Sequence, residues 1–150
     1  MSDQSRTLEV VPSGMLTRFI TASNEFSKST EQVHPALFIP YSLVVLSVNR
    51  LDDVSDEFTW RIGCQVAELR NKTLYGRADI VAEACLEQKL TFVHDPVVAQ
   101  VPGHIDNPHH FNVCGFPEKK EEQKLIALRL ASKASKRIAP PATHNKIATS

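Results

Sequence analysis

Residues 104–138, HIDNPHHFNVCGFPEKKEEQKLIALRLASKASKRI, place three histidines and an aspartate within seven residues, ahead of the clearest helix in the chain. Pro117 suits the first position of that helix, where a missing N–H costs no hydrogen bond. Acidic residues follow Pro117 and basic residues precede Ile138, which is the arrangement that a helix dipole favours. The apolar residues between them share one broad face: Ile126, Ala127, Leu130, Ala131, Ala134 and Ile138. This segment therefore predicts a turn at Gly115-Phe116-Pro117 that leads into a core helix.

The sequence upstream predicts a strand and a second helix. Tyr41–Val48 is short, continuous and rich in β-branched residues, which indicates a strand covered on both faces. Ser55 is a suitable N-cap for a helix that runs to about Arg70 with an apolar stripe at helical spacing. Trp60 lies on the side opposite that stripe. The helix is therefore either sandwiched in the fold, which the usual burial of tryptophan favours, or offers its Trp60 side to a partner.

Shorter patterns complete the fold. Leu16–Ile20 fits either a helical turn or a short strand, and Ala82–Gln88 predicts one or two helical turns. Extended pieces are predicted at Leu8–Val11, Ala36–Ile39, Ala78–Val81, Leu90–His94 and Phe111–Cys114. This order indicates one α+β domain over residues 16–138, with a mixed or antiparallel sheet of about four strands and two main helices on one face. Residues 1–15 and 139–150 are expected to be a flexible N-terminus and a flexible tail.

Composition gives the class and the expected location. The chain has 42% hydrophobic and 23% charged residues, and no apolar run approaches the length of a membrane span. The N-terminal residues show no secretory signal pattern, and the three widely spaced cysteines fit reduced thiols. We therefore expect a cytoplasmic protein with no membrane attachment.

The net charge of zero is unevenly distributed along the chain. Residues 1–116 hold nine Lys/Arg against 14 Asp/Glu, whereas residues 117–150 hold eight against three. Four basic residues are expected together on the helix side away from the core: Arg129, Lys133, Lys136 and Arg137. They indicate docking to a protein partner or to nucleic acid, and the simpler interpretation is a solvated helix face.

The histidine-rich stretch is the candidate site for metal binding. Imidazole and carboxylate groups suit zinc or a similar metal, with His104, Asp106 and His109 as the candidate ligands. No established metal-binding spacing, such as HExxH or paired cysteines, accompanies them. The structural alternative is a loop whose imidazoles and Asp106 carboxylate hydrogen-bond to the backbone.

The same stretch also indicates acid–base chemistry. Histidine titrates near neutral pH, so His104 and His110 are candidate catalytic groups. Arg77 and Asp79 complete the candidate set, in which Arg77 would bind an anion beside the histidines. Because Arg77 and Asp79 share a face in an extended segment, the alternative is a structural ion pair.

Three segments resemble a pattern found in a family of small bacterial proteins. They are Leu46-Ser47-Val48, LYGRADI at 74–80, and HFNVCGFP at 110–117 before an amphipathic helix. The resemblance covers about residues 40–138, and the family more often has Trp where Phe116 stands. It implies a prokaryotic cytoplasmic protein and carries no activity, because none is established for that family.

These patterns together favour a small cytoplasmic, non-enzymatic interaction or regulatory protein, as a subunit of a multi-component bacterial system. Trp60 and the basic helix face form its candidate partner surface. One alternative is a small hydrolase or nuclease, with or without a metal, that uses the histidines of residues 104–110. Another is nucleic-acid binding through the basic helix face. The sequence indicates neither a cofactor nor an oligomeric state.

Overall fold

Five strands form one antiparallel sheet in the computed structural model, which describes residues 8–40 and 44–142. The strands are β1 (Met15–Ile20), β2 (Leu46–Arg50), β3 (Gly76–Val81), β4 (Thr91–His94) and β5 (His110–Cys114), in the order β3-β1-β2-β5-β4. The helices are α1 (Asp56–Leu69), α2 (Ala82–Glu87) and α3 (Lys120–Lys133), with short 3-10 turns at Ser23–Glu25 and Pro35–Phe38. The predicted α+β class, with a small antiparallel sheet and two main helices, is confirmed. The sheet has one strand more than expected because residues 15–20 form a strand, β1, between β3 and β2.

β1 is paired unequally with its two neighbours. It pairs with β3 over six residues but with β2 at only two positions. Where β1 and β2 separate, the buried Arg18 guanidinium crosses between them. Its Nη1 donates to Ser47 O at 2.8 Å, and its Nε donates to Leu37 O at 2.9 Å. Arg18 thereby satisfies carbonyl groups at the point where the ladder between the two strands ends.

The two faces of the sheet support separate apolar layers, because side chains alternate along each strand. Leu16 and Ile20 belong to the larger core, which includes the buried face of α3. Phe19 points to the other face and packs against Trp60 and Ile62 of α1. The two main helices therefore lie on opposite faces, and the expectation of both on one face is wrong. β1 has apolar residues at odd and even positions, so its sequence assigns no single covered face.

α1 follows its sequence signals closely. The Ser55 hydroxyl accepts a hydrogen bond from Phe58 N at 3.1 Å, and Asp56 and Glu57 occupy the first turn, where the helix dipole favours acidic groups. Trp60 is only 4% exposed. The protein itself therefore covers the Trp60 side of the helix, whereas Leu69, on the predicted apolar stripe, is 62% exposed.

α3 begins later than the proline signal predicts. Its first residue is Lys120, three positions after Pro117. The Pro117 carbonyl accepts a hydrogen bond from Gln123 Nε2 at 2.8 Å, so the buried Gln123 side chain ties the preceding turn to the helix.

α3 also ends earlier than predicted, at Lys133. Residues 135–138 run along the outer edge of β3, where Arg77 and Ile138 exchange backbone hydrogen bonds of 3.0 and 2.8 Å. A Cβ on Gly76 would lie 2.5 Å from the Ile138 carbonyl oxygen, so glycine permits this close approach. The predicted helix over 134–138 is wrong because the β3 edge offers that segment backbone partners.

Three other local predictions need correction. Pro35–Phe38 forms a 3-10 turn, not an extended piece, and Leu8–Val11 forms no strand. The strand predicted over Tyr41–Val48 begins only at Leu46, and residues 41–43 lie outside the described residues. Most of the predicted flexible ends, residues 1–7 and 143–150, also lie outside them. Within the described chain, none of the helices has both the length and the apolar character that a membrane crossing requires.

Candidate binding site

A cleft of about 300 Å³ lies beside the histidine-rich loop, which we define as residues 95–109 between β4 and β5. One wall comes from the second half of α1, the other comes from the loop, and β1, β2 and β5 supply the remainder. Phe19, Ile62 and Leu69 contribute apolar surface on the strand and helix sides. Val97 and Val98 contribute it on the loop side. The cleft volume lies at the lower end of the range for small-molecule sites.

Gln65 of α1 binds the loop through a two-way hydrogen-bond pair. Its Nε2 donates to the Ile105 carbonyl oxygen at 3.2 Å, and its Oε1 accepts from the Ile105 N–H at 2.7 Å. The Ile105 side chain also packs against the apolar layer under α1. A side-chain amide has one donor end and one acceptor end, so it satisfies both backbone groups of an irregular segment at once.

Two further α1 residues reinforce this attachment. Glu68 Oε1 lies 2.6 Å from His104 Nε2, and Arg61 Nη2 donates to Gly103 O at 3.3 Å. Positions 61, 65 and 68 share one side of an α-helix, so a regular helix presents all three to the loop. We call these three residues the clamp: Arg61, Gln65 and Glu68.

Hydrogen bonds within the loop and to β2 fix the rest of the wall. Val97 and Asn107 exchange backbone hydrogen bonds of 2.9 and 2.8 Å. Asp106 Oδ1 accepts from Ala99 N at 2.8 Å, and Asn107 Nδ2 donates to Asn49 Oδ1 at 2.6 Å. Asp106 therefore holds the backbone, as the structural interpretation of the loop predicts, and Asn107 joins the loop to the sheet.

The structure brings two of the predicted histidines into the cleft. His104 and His110 both belong to its lining. His110 Nδ1 lies 2.8 Å from Asp95 O, and Glu68 contacts His104 Nε2. In the described chain, the second nitrogen of each ring, His104 Nδ1 and His110 Nε2, has no protein hydrogen-bond partner. Each imidazole is thus oriented by the protein through one nitrogen.

His109 has a different environment, at the ends of β2 and β5. Its Nδ1 lies 3.4 Å from Arg50 Nη1, and its ring meets the Phe58 ring edge-on at a centroid distance of 5.7 Å. Burial lowers the pKa of His109, and the nearby charges of Arg50 and His94 lower it further. A neutral imidazole accepts the hydrogen bond that Arg50 can donate, so His109 serves the fold here.

The three predicted metal ligands do not meet. His104 contacts Glu68, Asp106 binds the Ala99 N–H, and His109 lies beside Arg50. Among residues 8–40 and 44–142 there is no group of three or more His, Cys, Asp or Glu side chains placed to hold a metal ion.

Arg77 and Asp79 are not part of the cleft lining. They form the ion pair that their shared strand face predicts, with Arg77 Nε 3.2 Å from Asp79 Oδ1 and Arg77 Nη2 3.3 Å from Asp79 Oδ2. Asp56 lies 3.5 Å from the same guanidinium, which sits 5.2 Å from the centre of the Trp60 ring. Burial raises the pKa of Asp79, although the nearby Thr17 hydroxyl and the charge of Arg77 oppose this effect. The predicted catalytic set is therefore divided between two places.

The four basic residues predicted on one helix face are divided as well. Arg129 and Lys133 are exposed on α3, whereas Lys136 and Arg137 lie beyond its end. Arg137 is engaged by Glu31, with Nη2 2.8 Å from Glu31 Oε2, and it also donates to a backbone carbonyl at 2.7 Å. Arg137 thus fastens the segment that covers the β3 edge.

Comparison of the chain with protein-family models, with curated proteins and with solved structures gave no match. Fold and cleft together define an α+β protein with a cleft of ligand size on the α1 side of its sheet.

Several residues of the cleft were not among the sequence predictions. The polar positions 61, 65 and 68 form a stripe along α1, and that stripe was a usable signal for the clamp. The residues at 97–101 are mostly apolar inside a loop rich in proline, which is unusual for a solvated loop and was a second signal. Asn49 carried no signal, because only the folded chain brings β2 next to Asn107.

Proposed function

We propose that the protein acts by binding a small ligand, not by catalysis, and that the cleft between α1 and the histidine-rich loop is its binding site. The observation that carries this proposal is that the main polar side chains around the cleft hydrogen-bond to other parts of the protein. Gln65 and Asp106 accept hydrogen bonds from backbone N–H groups of the loop, and Asn107 donates to Asn49 of β2. These side chains therefore hold the walls of the cleft in place. The apolar surface between them is left as the recognition surface, as in most small-molecule sites.

The rim of the cleft supports a regulatory version of this proposal. Val98 is 64% exposed and Leu69 is 62% exposed, on the two walls of the same cleft. An apolar rim of this kind suits contact with a second protein. Filling the cleft would change the surface that such a partner meets. We therefore retain, as part of the proposal, the prediction of a cytoplasmic interaction or regulatory subunit of a bacterial multi-component system.

A cleft-filling variant tests the proposal. Ala99 is half-buried in the loop wall, so Ala99→Trp would occupy the cleft, whereas Ala139→Trp adds the same ring at an exposed position outside it. A set of small amphipathic fragments is screened against the folded proteins by ligand-observed NMR. We expect hits for the wild type and for Ala139→Trp that disappear in Ala99→Trp. Hits that survive in Ala99→Trp, or no hits with any protein, would contradict the proposal.

A hydrolase is the second candidate, and one observation favours it. His104 is paired with Glu68 at 2.6 Å in the wall of a cleft that also contains His110, an arrangement in which a carboxylate can orient a general base. A panel of chromogenic carboxylic and phosphoric esters tests this alternative. It requires turnover that falls at least about a hundredfold in His104→Gln while the variant stays folded at the assay temperature. Absence of turnover in the wild type, or equal turnover in the variant, would reject it.

A further inference from the structure

The charged or ionisable residues that line the cleft are all basic. Two arginines, Arg18 and Arg70, and two histidines belong to its lining, and none of the described lining residues is an aspartate or a glutamate. This composition contrasts with the surrounding body, since residues 1–116 hold 14 acidic residues against nine basic ones. A cleft that excludes carboxylates from its own lining, inside an acidic body, is complementary to an anion.

Nearby carboxylates do not reverse this balance. Glu68 and Asp95 each approach one histidine, at 2.6 Å from His104 Nε2 and 3.5 Å from His110 Nδ1. Neither acid is part of the lining. The Glu68 carboxylate binds His104 Nε2 and the Asp95 backbone carbonyl binds His110 Nδ1, so the second nitrogen of each ring is left to donate to an anionic oxygen in the imidazolium form.

The shape of the cleft sets the size and polarity of the rest of the ligand. Its volume of about 300 Å³ corresponds to roughly ten water molecules at about 30 Å³ each, and therefore to roughly ten non-hydrogen atoms of ligand. Phe19, Ile62 and Val66 offer apolar surface beside the strands, and Val97 and Val101 offer it on the loop. Such walls favour a hydrocarbon body over a second polar group.

We infer that the cleft binds a small amphipathic anion, with an apolar body of about ten atoms and a single acidic head group such as a carboxylate. The inference rests on the proposed function and names its ligand class. The head is held by the cationic side chains of the lining, and the body lies against the valines and the α1 stripe. Arginine is well suited to the head because its guanidinium donates two parallel hydrogen bonds to a carboxylate.

Octanoate is the test compound because it has eight carbons and one carboxylate. Octanamide has the same body with a neutral head, and acetate has the head without the body. Isothermal titration of the full-length protein with each compound separates the two contributions. We expect octanoate to bind at least tenfold more tightly than octanamide or acetate. Its affinity should also fall as sodium chloride is raised from 50 to 500 mM, since salt screens exposed charges.

A pair of arginine variants locates the head group. Arg70→Gln removes a cation from the cleft, and Arg129→Gln removes one from α3, on the other face of the sheet. Octanoate affinity should fall at least threefold in Arg70→Gln and stay unchanged in Arg129→Gln, while octanamide affinity stays the same in both. Equal binding of octanoate and octanamide, or equal loss in both variants, would overturn the inference.

The two proposals fail in different ways. If amphipathic fragments bind in the cleft without any preference for octanoate over octanamide, the anion inference fails and the binding function stands. If Ala99→Trp removes no ligand signal, the binding function itself fails.

Discussion

Replacement of Gln65 by alanine should detach the loop wall of the cleft without unfolding the protein. Gln65 makes two hydrogen bonds, of 2.7 and 3.2 Å, to the backbone of Ile105. Each half-buried hydrogen bond contributes about 0.5–1.5 kcal/mol, and alanine returns a few tenths of a kcal/mol in helix propensity. The free energy of unfolding should therefore fall by about 1–2.5 kcal/mol, which lowers the melting temperature by roughly 2–10 °C.

Urea denaturation measures the loss in the free energy of unfolding, and amide hydrogen exchange measures the local loosening of the loop. The Ile105 N–H donates to Gln65 Oε1, so its exchange should become about tenfold faster for each 1.4 kcal/mol lost, while the β1–β3 amides keep their protection. Gln100→Ala is the matched control. Gln100 is an exposed amide of the same loop and makes one local hydrogen bond, to Val98 O at 3.3 Å. If Gln65→Ala were as stable as Gln100→Ala and left Ile105 exchange unchanged, the clamp argument would be refuted.

Three further predictions concern the scaffold that carries the cleft. Leu130→Ala should lower the free energy of unfolding, measured by urea denaturation, by about 2–5 kcal/mol because this α3 side chain is fully buried. Leu128→Ala, at a position 55% exposed, should lower it by less than about 0.5 kcal/mol, and equal losses would contradict the assigned face of α3. Gly63→Ala should destabilise by about 1–3 kcal/mol, since its Cβ would lie 2.7 Å from the Phe19 ring, and a neutral effect would refute the close packing of α1 on β1. The pKa of His109 in the folded protein is lowered below its ordinary 6.5, so the unfolded chain binds a proton at this residue more readily than the folded chain does. The free energy of unfolding should therefore fall as the pH drops below about 6.5. His109→Gln should flatten that fall in urea midpoints measured from pH 8 to about pH 5, and an unchanged slope would remove His109 as its cause.

Local signals in the sequence were sufficient for α1 and for most strands. Ser55 caps α1 as its position predicts, and His110–Cys114 forms a strand with alternating burial. These elements are determined by the residues they contain: a hydroxyl before a helical stripe, and alternating apolar positions in a strand.

The parts that the sequence did not predict depend on distant partners. The end of α3 is determined by the β3 edge, to which Ile138 adds its backbone, and a helical pattern continues through that point in the sequence. The cleft depends on Gln65 reaching Ile105, 40 residues away along the chain. The sequence prediction relied on the histidines because of their chemistry, yet amides and valines supply much of the cleft lining. Arg77 and Asp79 are paired with each other, so the pattern that suggested an anion site describes an ion pair.

The most direct test of the cleft and of its inferred ligand class together is a titration of the isotope-labelled wild-type protein with octanoate, followed through backbone amide chemical shifts. A ligand held in the cleft should move the amides of residues 97–105 and of the C-terminal half of α1, and leave those of α3 and of the β3 edge in place. Saturating shifts confined to these two walls would support a cleft that binds an amphipathic anion. Shifts centred on α3, or no shifts at millimolar octanoate, would contradict it.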